Sequence, residues 1–515
     1  MKFYITTPIY YVNDEPHLGH AYTTIAADVL SRYHRLKNDD VFFLAGTDEH
    51  GLKIEQKAQE EEKNPQKFCD EKATKFKVLW NNLNITNNTF IRTTDLKHKS
   101  AVQKILQILF DKKLIYKGEY EGLYCVGCEE YKTKTQLIAG KCPLHKKMPE
   151  LVKEDCYFFQ LSNFQKKIIE KIQKNEFKIE PIERKNEALG FLKKEKLEDL
   201  SISRKKVKWG IPLPFDKSYT IYVWVEAFFS YLTGIDWQGD CKKIPNFWPP
   251  DLQLMAKDIL RVHTTIWPAL LLALDILLPN KLFVHGFFTI NGQKMSKTLG
   301  NVILPYDLIN KFGVDATRYL LLAQFPFGQD GDISMERLEE KYNSDLVNGL
   351  GNLVARVLTL AERNFTYFSN GNDIEIKKTW KEYKKTMKNI QLFETLKIVW
   401  NLISFCDKYM EKEKPWEIKD NPERLNKILS NLLERIYNLA IMILPFMPET
   451  SEKIFTQLGI KFEGFKKNEQ IEFIPHQNLV QGFKIKKGEN LFPRKHKNKK
   501  TLKQKNTKII LDFKF

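Results

Sequence analysis

The first fifty residues of this chain leave little choice of fold class. Residues 3–9, Phe3-Tyr4-Ile5-Thr6-Thr7-Pro8-Ile9, read as a buried strand, and they lead into a loop holding Asn13, Asp14 and Pro16. From about residue 20 to 36 the period becomes helical, with Ala26, Ala27, Leu30 and Tyr33 on one face. Val41, Phe42, Phe43 and Leu44 then read as a second buried strand, ending in the polar turn Gly46-Thr47-Asp48-Glu49-His50-Gly51. Strand, helix, strand with polar loops at the strand ends implies a parallel α/β sheet, in which ligands bind at the carboxyl edge.

A length of 515 residues asks for two or three domains. Residues 114–218 change character, with a Cys/His cluster, Lys-rich stretches and alternating runs such as Tyr157-Phe158-Phe159, and read as an insertion. Strand-like segments return with Ile221-Tyr222-Val223-Trp224-Val225 and with Leu282-Phe283-Val284. From about 333 the pattern is helical, with apolar residues at 3.6 spacing in 346–360 and 428–444. Residues 484–507 are Lys-rich with little apolar periodicity and are expected to be a mobile basic tail. The expected division is 1–113 and 219–332 for the two halves of the α/β domain, 114–218 for the insertion, 333–475 for the helical domain and 476–515 for the tail.

Composition narrows the class further. Basic residues number 82 against 64 acidic, a formal +18, which suits nucleic acid or a membrane surface, or a Lys-rich chain with no such partner. The longest apolar stretch, 266–278, is interrupted by Pro268 and Asp275 and is too short to span a bilayer, so it reads as a buried helix. No secretory signal is visible at the start. Seven cysteines, odd in number and clustered, argue against a disulfide framework and for a reducing cytoplasm.

Three motifs carry chemistry. His17-Leu18-Gly19-His20 stands after a strand, at the start of a helix. Glycine admits a ligand to the backbone, the helix N-terminus favours phosphate, and two imidazoles can donate to phosphate oxygens. Lys294-Met295-Ser296-Lys297-Thr298 offers two lysines three apart, able to clamp a triphosphate as charge develops; standing alone, it reads first as a solvated lysine loop. Cys125-x2-Cys128-x13-Cys142-x2-His145 has the two close pairs of a closed, four-ligand structural zinc site. Cys69, Cys156, Cys241 and Cys406 are isolated and read as ordinary buried cysteines.

The first two motifs together resemble the paired signatures of class I aminoacyl-tRNA synthetases. That resemblance implies a Rossmann-type catalytic domain on which both motifs flank ATP, delivered as its Mg2+ complex. It also implies adenylate formation, with His17, His20, Lys294 and Lys297 stabilising the pentacovalent phosphate and Gly19, Gly286 and Ser296 completing the ATP site. Thr298 stands where the class usually has Ser and keeps the hydroxyl. Residues 7–13, the turn 46–51, Trp209-Gly210-Ile211-Pro212, Tyr222-Val223-Trp224, the stretch 257–263 and the single zinc knuckle resemble bacterial-type methionyl-tRNA synthetases. The similarity runs in order from about residue 3 to about 450.

By that resemblance the fold is a Rossmann-type domain with an inserted zinc-knuckle connective domain, followed by an all-α anticodon-binding bundle. The methionine pocket involves Ile9, Tyr11, Asp48, Trp224, Ala227, Tyr231, Ile259 and His263. Aromatic contact favours a thioether, Tyr or His can hydrogen-bond its sulfur, and Asp48 suits the substrate ammonium. From the residues alone, Trp224 and Tyr231, seven apart, also fit a helix face in a core. Ala256 replaces the family's usual Gly, Glu226 its usual Asp, and Phe228 is bulkier than the typical pocket neighbour. Asn352, Arg356 and Trp416 match anticodon-reading positions: Asn and Arg four apart share a helix face, and an indole can stack on an unpaired base. An Asn/Arg surface pair with a buried Trp is the plainer alternative. The family's optional C-terminal tRNA-binding and dimerising module has no room after the bundle, so a monomer without a membrane partner is expected. A leucine or isoleucine synthetase would need a larger editing insertion. A small nucleotidyltransferase would not need the helical domain, and a noncatalytic RNA binder would not need the His and Lys motifs.

Overall fold

The computed structural model describes residues 1–126, 130–132, 137–143, 146–290, 292–294, 303–366, 373–460 and 484–494. Six strands form one parallel sheet in the order Thr89–Arg92, Asp40–Asp48, Lys2–Tyr11, Leu252–Ala256, Lys281–His285, Lys178–Glu180. From the strand Lys2–Tyr11 the chain first builds one side of the sheet and later the other. A topological switch point therefore lies between that strand and Leu252–Ala256, where open α/β sheets place their ligands. The register of Lys2–Tyr11 against Asp40–Asp48 slips between Thr6 and Ile9, a bulge that re-aims Ile9 and Tyr11 at the sheet's carboxyl edge. Gly46 lies opposite Ile9, and a Cβ there would come within 2.3 Å of the Ile91 carbonyl, so only glycine lets the neighbouring strand approach.

The stretch expected as an insertion is divided among three sheets, the smallest being the pair Ser203–Arg204 and Thr220–Ile221. Ile115–Cys125, Glu130–Lys132, Glu150–Phe159 and Leu200–Ser201 form a four-stranded antiparallel sheet, while Lys178–Glu180 pairs in parallel with Lys281–His285 as the outer strand of the main sheet. The strand read at 221–225 is corrected. Only Thr220–Ile221 is extended, and Val223–Phe228 is helical, so Trp224 sits on a helix. Its β-branched and aromatic residues match strand propensity, but burial against the core decides the conformation.

Helices Asn352–Asn364, Ile374–Lys388, Leu392–Glu413, Pro422–Ile443 and Pro448–Gln457 make the carboxyl-terminal bundle, preceded by a π-helical stretch, Tyr342–Gly351. Its core is continuous with one face of the α/β domain. The two are also joined by charge. Arg318, fully buried, donates to the carbonyls of Pro445, Phe446 and Leu83 at 2.9–3.0 Å and to Asp28 at 2.7 Å. Asp28, on the helix Leu18–Leu36, also accepts from Arg32 at 2.7 Å. Of the residues expected to be a mobile tail, 484–494 are instead docked: Ile485, Leu491 and Phe492 are buried, and Tyr342 donates to the Pro493 carbonyl at 2.8 Å. Three apolar side chains without a helical period are enough to anchor a short stretch in a groove.

Candidate active site

The HLGH segment begins the helix Leu18–Leu36, and its two histidines cap that helix. The Gly19 amide donates to His17 Nδ1 at 3.1 Å, and the His17 amide donates to His20 Nδ1 at 3.3 Å. A backbone amide can only donate, so each Nδ1 is an acceptor and each neutral ring carries its proton on Nε2. The rings stack at 3.6 Å between centroids, 22° from parallel. Burial, then the neighbouring His17, pushes the His20 pKa well below its ordinary value. His20 is nonetheless part-exposed, and its acceptor Nδ1 gives independent support for the neutral form. The helix N-terminus thus presents two neutral N–H donors beside the switch point, an arrangement suited to phosphate oxygens.

The second signature is tied to the first through His285, which ends the strand Lys281–His285. Its Nδ1 donates to the Gly286 carbonyl at 2.7 Å, so Nε2 accepts from Thr23 Oγ1 at 2.7 Å, and Thr23 lies on the HLGH helix. Burial lowers the His285 pKa to about 4 and keeps it neutral. A Cβ on Gly286 would fall 2.4 Å from the Asp330 amide, so this glycine is required by that close approach. Asp330 in turn accepts from Phe287 N at 2.8 Å and from Lys257 at 2.5 Å. Phe288–Ile290 and Gln293–Lys294 form a hairpin, with Gly292 at φ +72° and its amide held by Asp332 at 2.8 Å. This places the backbone of Lys294; Ser296 and Lys297 lie outside the described residues.

The residues expected to hold methionine are mostly aromatic or apolar. Ala227, Tyr231 and His263 are buried, while Ile9, Tyr11, Trp224 and Ile259 are half-buried. His263 Nδ1 donates to the Ile259 carbonyl at 2.9 Å, leaving Nε2 to accept from Tyr231 Oη at 2.9 Å. Burial holds the His263 pKa at about 4. Both donors expected for a thioether are therefore engaged with protein acceptors, and the aromatic faces are what the pocket offers. Phe228 stands edge-on to His263 at 4.9 Å and stacks on Trp267 at 5.5 Å, which makes it part of the wall. Ala256 ends its strand opposite His285.

Comparisons with known proteins agree with one another. The family model described as tRNA synthetases class I (M) matches residues 3–148 and 133–358, and the anticodon-binding domain of tRNA ligase matches 374–511. Methionine–tRNA ligase of Caldanaerobacter subterraneus is 42% identical over 506 residues, covering 96% of this chain and 78% of the relative. The Thermotoga maritima enzyme is 43% identical over 488 residues, covering 92% and 77%. The chain belongs to the methionine–tRNA ligase family. A structure of Mycobacterium tuberculosis methionyl-tRNA synthetase in complex with methionyl-adenylate superposes with a TM-score of 0.85 at 34% identity, covering 89% of this chain and 94% of that one. The apo form of that enzyme gives 0.82 at 30% identity, covering 96% and 98%.

The remaining features expected of a methionine–tRNA ligase are partly in view. The Arg356 guanidinium lies 5.3 Å from the centre of the Trp416 ring, Trp416 is 44% exposed, and Asn352 is exposed one turn before Arg356. Lys414, at φ +44°, ends the helix Leu392–Glu413 and turns Trp416 outward. Cys125 and Cys142 are both buried thiols on the small antiparallel module, and Cys142 sits in a turn closed by Lys146 N donating to its carbonyl at 2.7 Å. Cys128 and His145 lie outside the described residues, and no metal-holding group of three or more ligand side chains occurs among the described ones. Among the described residues no helix is long and apolar enough to cross a membrane.

Sequence reasoning missed the supports of this site. Glu49 accepts from Arg92 at 2.7 and 2.8 Å and from Thr47 at 2.7 Å. Glu226 joins His50 to His98. The polar turn 46–51 was visible in the sequence, but Arg92, which bonds it, and His98, which shares Glu226 with its His50, carry no sequence signal.

Proposed function

We propose that this chain activates L-methionine with ATP to methionyl-adenylate and transfers it to the 3′ end of tRNA(Met), releasing pyrophosphate and AMP, for translation initiation and elongation. The observation that carries the reading is the pair of neutral N–H donors of His17 and His20 on the helix that follows the switch-point strand. The methionine carboxylate attacks the α-phosphorus of ATP. A new P–O bond forms, the bond to pyrophosphate breaks, and the enzyme supplies position and charge with no covalent intermediate. In this reading His17, Gly19, His20, Gly286, Lys294, Ser296 and Lys297 hold the triphosphate, which family members take with Mg2+. Asp48 takes the ammonium, and Ile9, Tyr11, Trp224, Ala227, Tyr231, Ile259 and His263 enclose the side chain. Pyrophosphate exchange into ATP, run with each of the twenty amino acids and no tRNA, is expected to require methionine. Exchange driven by another amino acid would overturn the pocket assignment, and none from folded protein would remove the adenylation reading.

The proposal extends to a monomer working in the cytoplasm, with tRNA(Met) read through its anticodon by Asn352, Arg356 and Trp416. Replacing Trp416 by Ala should raise the KM for tRNA by about ten-fold or more, since base–aromatic stacking contributes about 1–3 kcal/mol. Pyrophosphate exchange should be unchanged, because it needs no anticodon. Cys125, Cys128, Cys142 and His145 would hold one structural zinc: soft thiolates suit that ion, and each of the two described thiols is buried. Elemental analysis of purified protein should give about one zinc per chain, falling sharply in the Cys125→Ser variant.

A further inference from the structure

The buried network around Glu226 has no part in the chemistry above, yet its members sit close in sequence to three of the expected pocket residues, Asp48, Ala227 and Tyr231. Glu226 is fully buried on the short helix Val223–Phe228, between Trp224 and Ala227. One carboxylate oxygen accepts from His50 Nδ1 at 2.8 Å and the other from His98 Nε2 at 2.9 Å. His98 Nδ1 then accepts from Thr233 Oγ1 at 2.8 Å. Burial alone would raise the Glu226 pKa, but His50 and His98 more than offset it and hold the carboxyl below its ordinary value. His50 lies two residues after Asp48, and Thr233 two residues after Tyr231.

One carboxylate therefore ties together three pieces of the site. They are the strand end and turn that carry Asp48 and His50, the helix Leu96–Asp111 that carries His98, and the two short helices that carry Trp224, Ala227 and Tyr231. Helices of six and four residues have no stability of their own, and apolar packing fixes their depth better than their rotation. Directional bonds to a buried charge fix both.

We propose that Glu226 is a positioning residue that sets the span between the Asp48 carboxylate and the pocket of Ala227, Tyr231 and His263, so that the site selects methionine by side-chain length. The inference rests on the adenylation reading, which wild-type exchange tests separately. Glu226→Gln keeps the size but removes the charge and presents an amide N–H to one of the two imidazole donors, so that ring must turn from donor to acceptor or lose its bond.

Calorimetry with L-methionine and with the shorter norvaline, on wild type and variant, is the test. Glu226→Gln should weaken methionine binding by about ten- to a hundred-fold and norvaline binding much less, with the KM for ATP unchanged within about two-fold. Glu226→Asp, which keeps both acceptor oxygens, should recover part of the loss. If Glu226→Gln does not fold, Thr233→Val, which removes only the last hydroxyl of the chain, should show the same selective loss at smaller size. Equal losses for methionine and norvaline, or a parallel rise in the KM for ATP, would overturn the proposal. So would wild-type methionine affinity in a folded Glu226→Gln variant. Absent wild-type exchange would remove the adenylation reading alone, since the binding comparison still reads Glu226.

Discussion

Exchanging His17 for asparagine should leave the chain about as stable as wild type and lower the turnover of methionine-dependent pyrophosphate exchange by about a hundred-fold. The two effects separate because the ring has two jobs at opposite edges. Nδ1 caps the helix Leu18–Leu36 by accepting from the Gly19 amide, and asparagine is among the best residues for that task. In the proposed reaction Nε2–H donates to phosphate, and asparagine, with its oxygen on the cap, has no donor at that position. His17→Ala should show the same loss of turnover and, in addition, a loss of stability of about 1 kcal/mol from the missing cap. Urea unfolding beside exchange kinetics on both variants reads the two jobs independently. Equal turnover in wild type and His17→Asn would mean that the ring serves the helix alone.

Replacing Arg318 by methionine should cost about 3–5 kcal/mol, the largest stability change expected for a single substitution here. The side chain is fully buried, and its removal leaves three carbonyls without their donor and Asp28 with one guanidinium instead of two. Burial alone would raise the Asp28 pKa, but Arg32 and Arg318 hold it far below the usual carboxylate range. A carboxyl depressed in this way contributes stability that is complete above its unfolded pKa, near 4, and is lost as pH falls through the folded value. Arg318→Met should therefore be destabilised at neutral pH and should unfold in acid at a higher pH than wild type. Circular dichroism through an acid titration measures both. Because two of the lost bonds go to the bundle at Pro445 and Phe446, aminoacylation of tRNA should fall further than pyrophosphate exchange.

Much of this was legible in the chain. Strand-like runs at 3–9 and 41–44 around a helical period pointed to a parallel sheet, and the structure adds the order of its strands. HLGH at the first helix start could be read because a capping position is local: the residues that bond one another lie within four positions. The helical periods of the carboxyl-terminal region were equally local.

What the sequence left open was non-local. Residues 221–225 have strand propensity, yet the core around Trp267 holds 223–228 as a helix. Residues 484–494 are polar in composition, but Leu491 and Phe492 find a groove formed by helices far away in sequence. Glu226 stands among apolar neighbours in the sequence, and only the fold reveals two histidines within reach of it, from positions 50 and 98. Local periodicity and capping follow from neighbours in the chain, so the sequence by itself determined the elements and the signature motifs. The bonds between Asp28 and Arg318, Thr23 and His285, and Glu226 and its histidines join residues more than a hundred positions apart, and only the tertiary structure decided them.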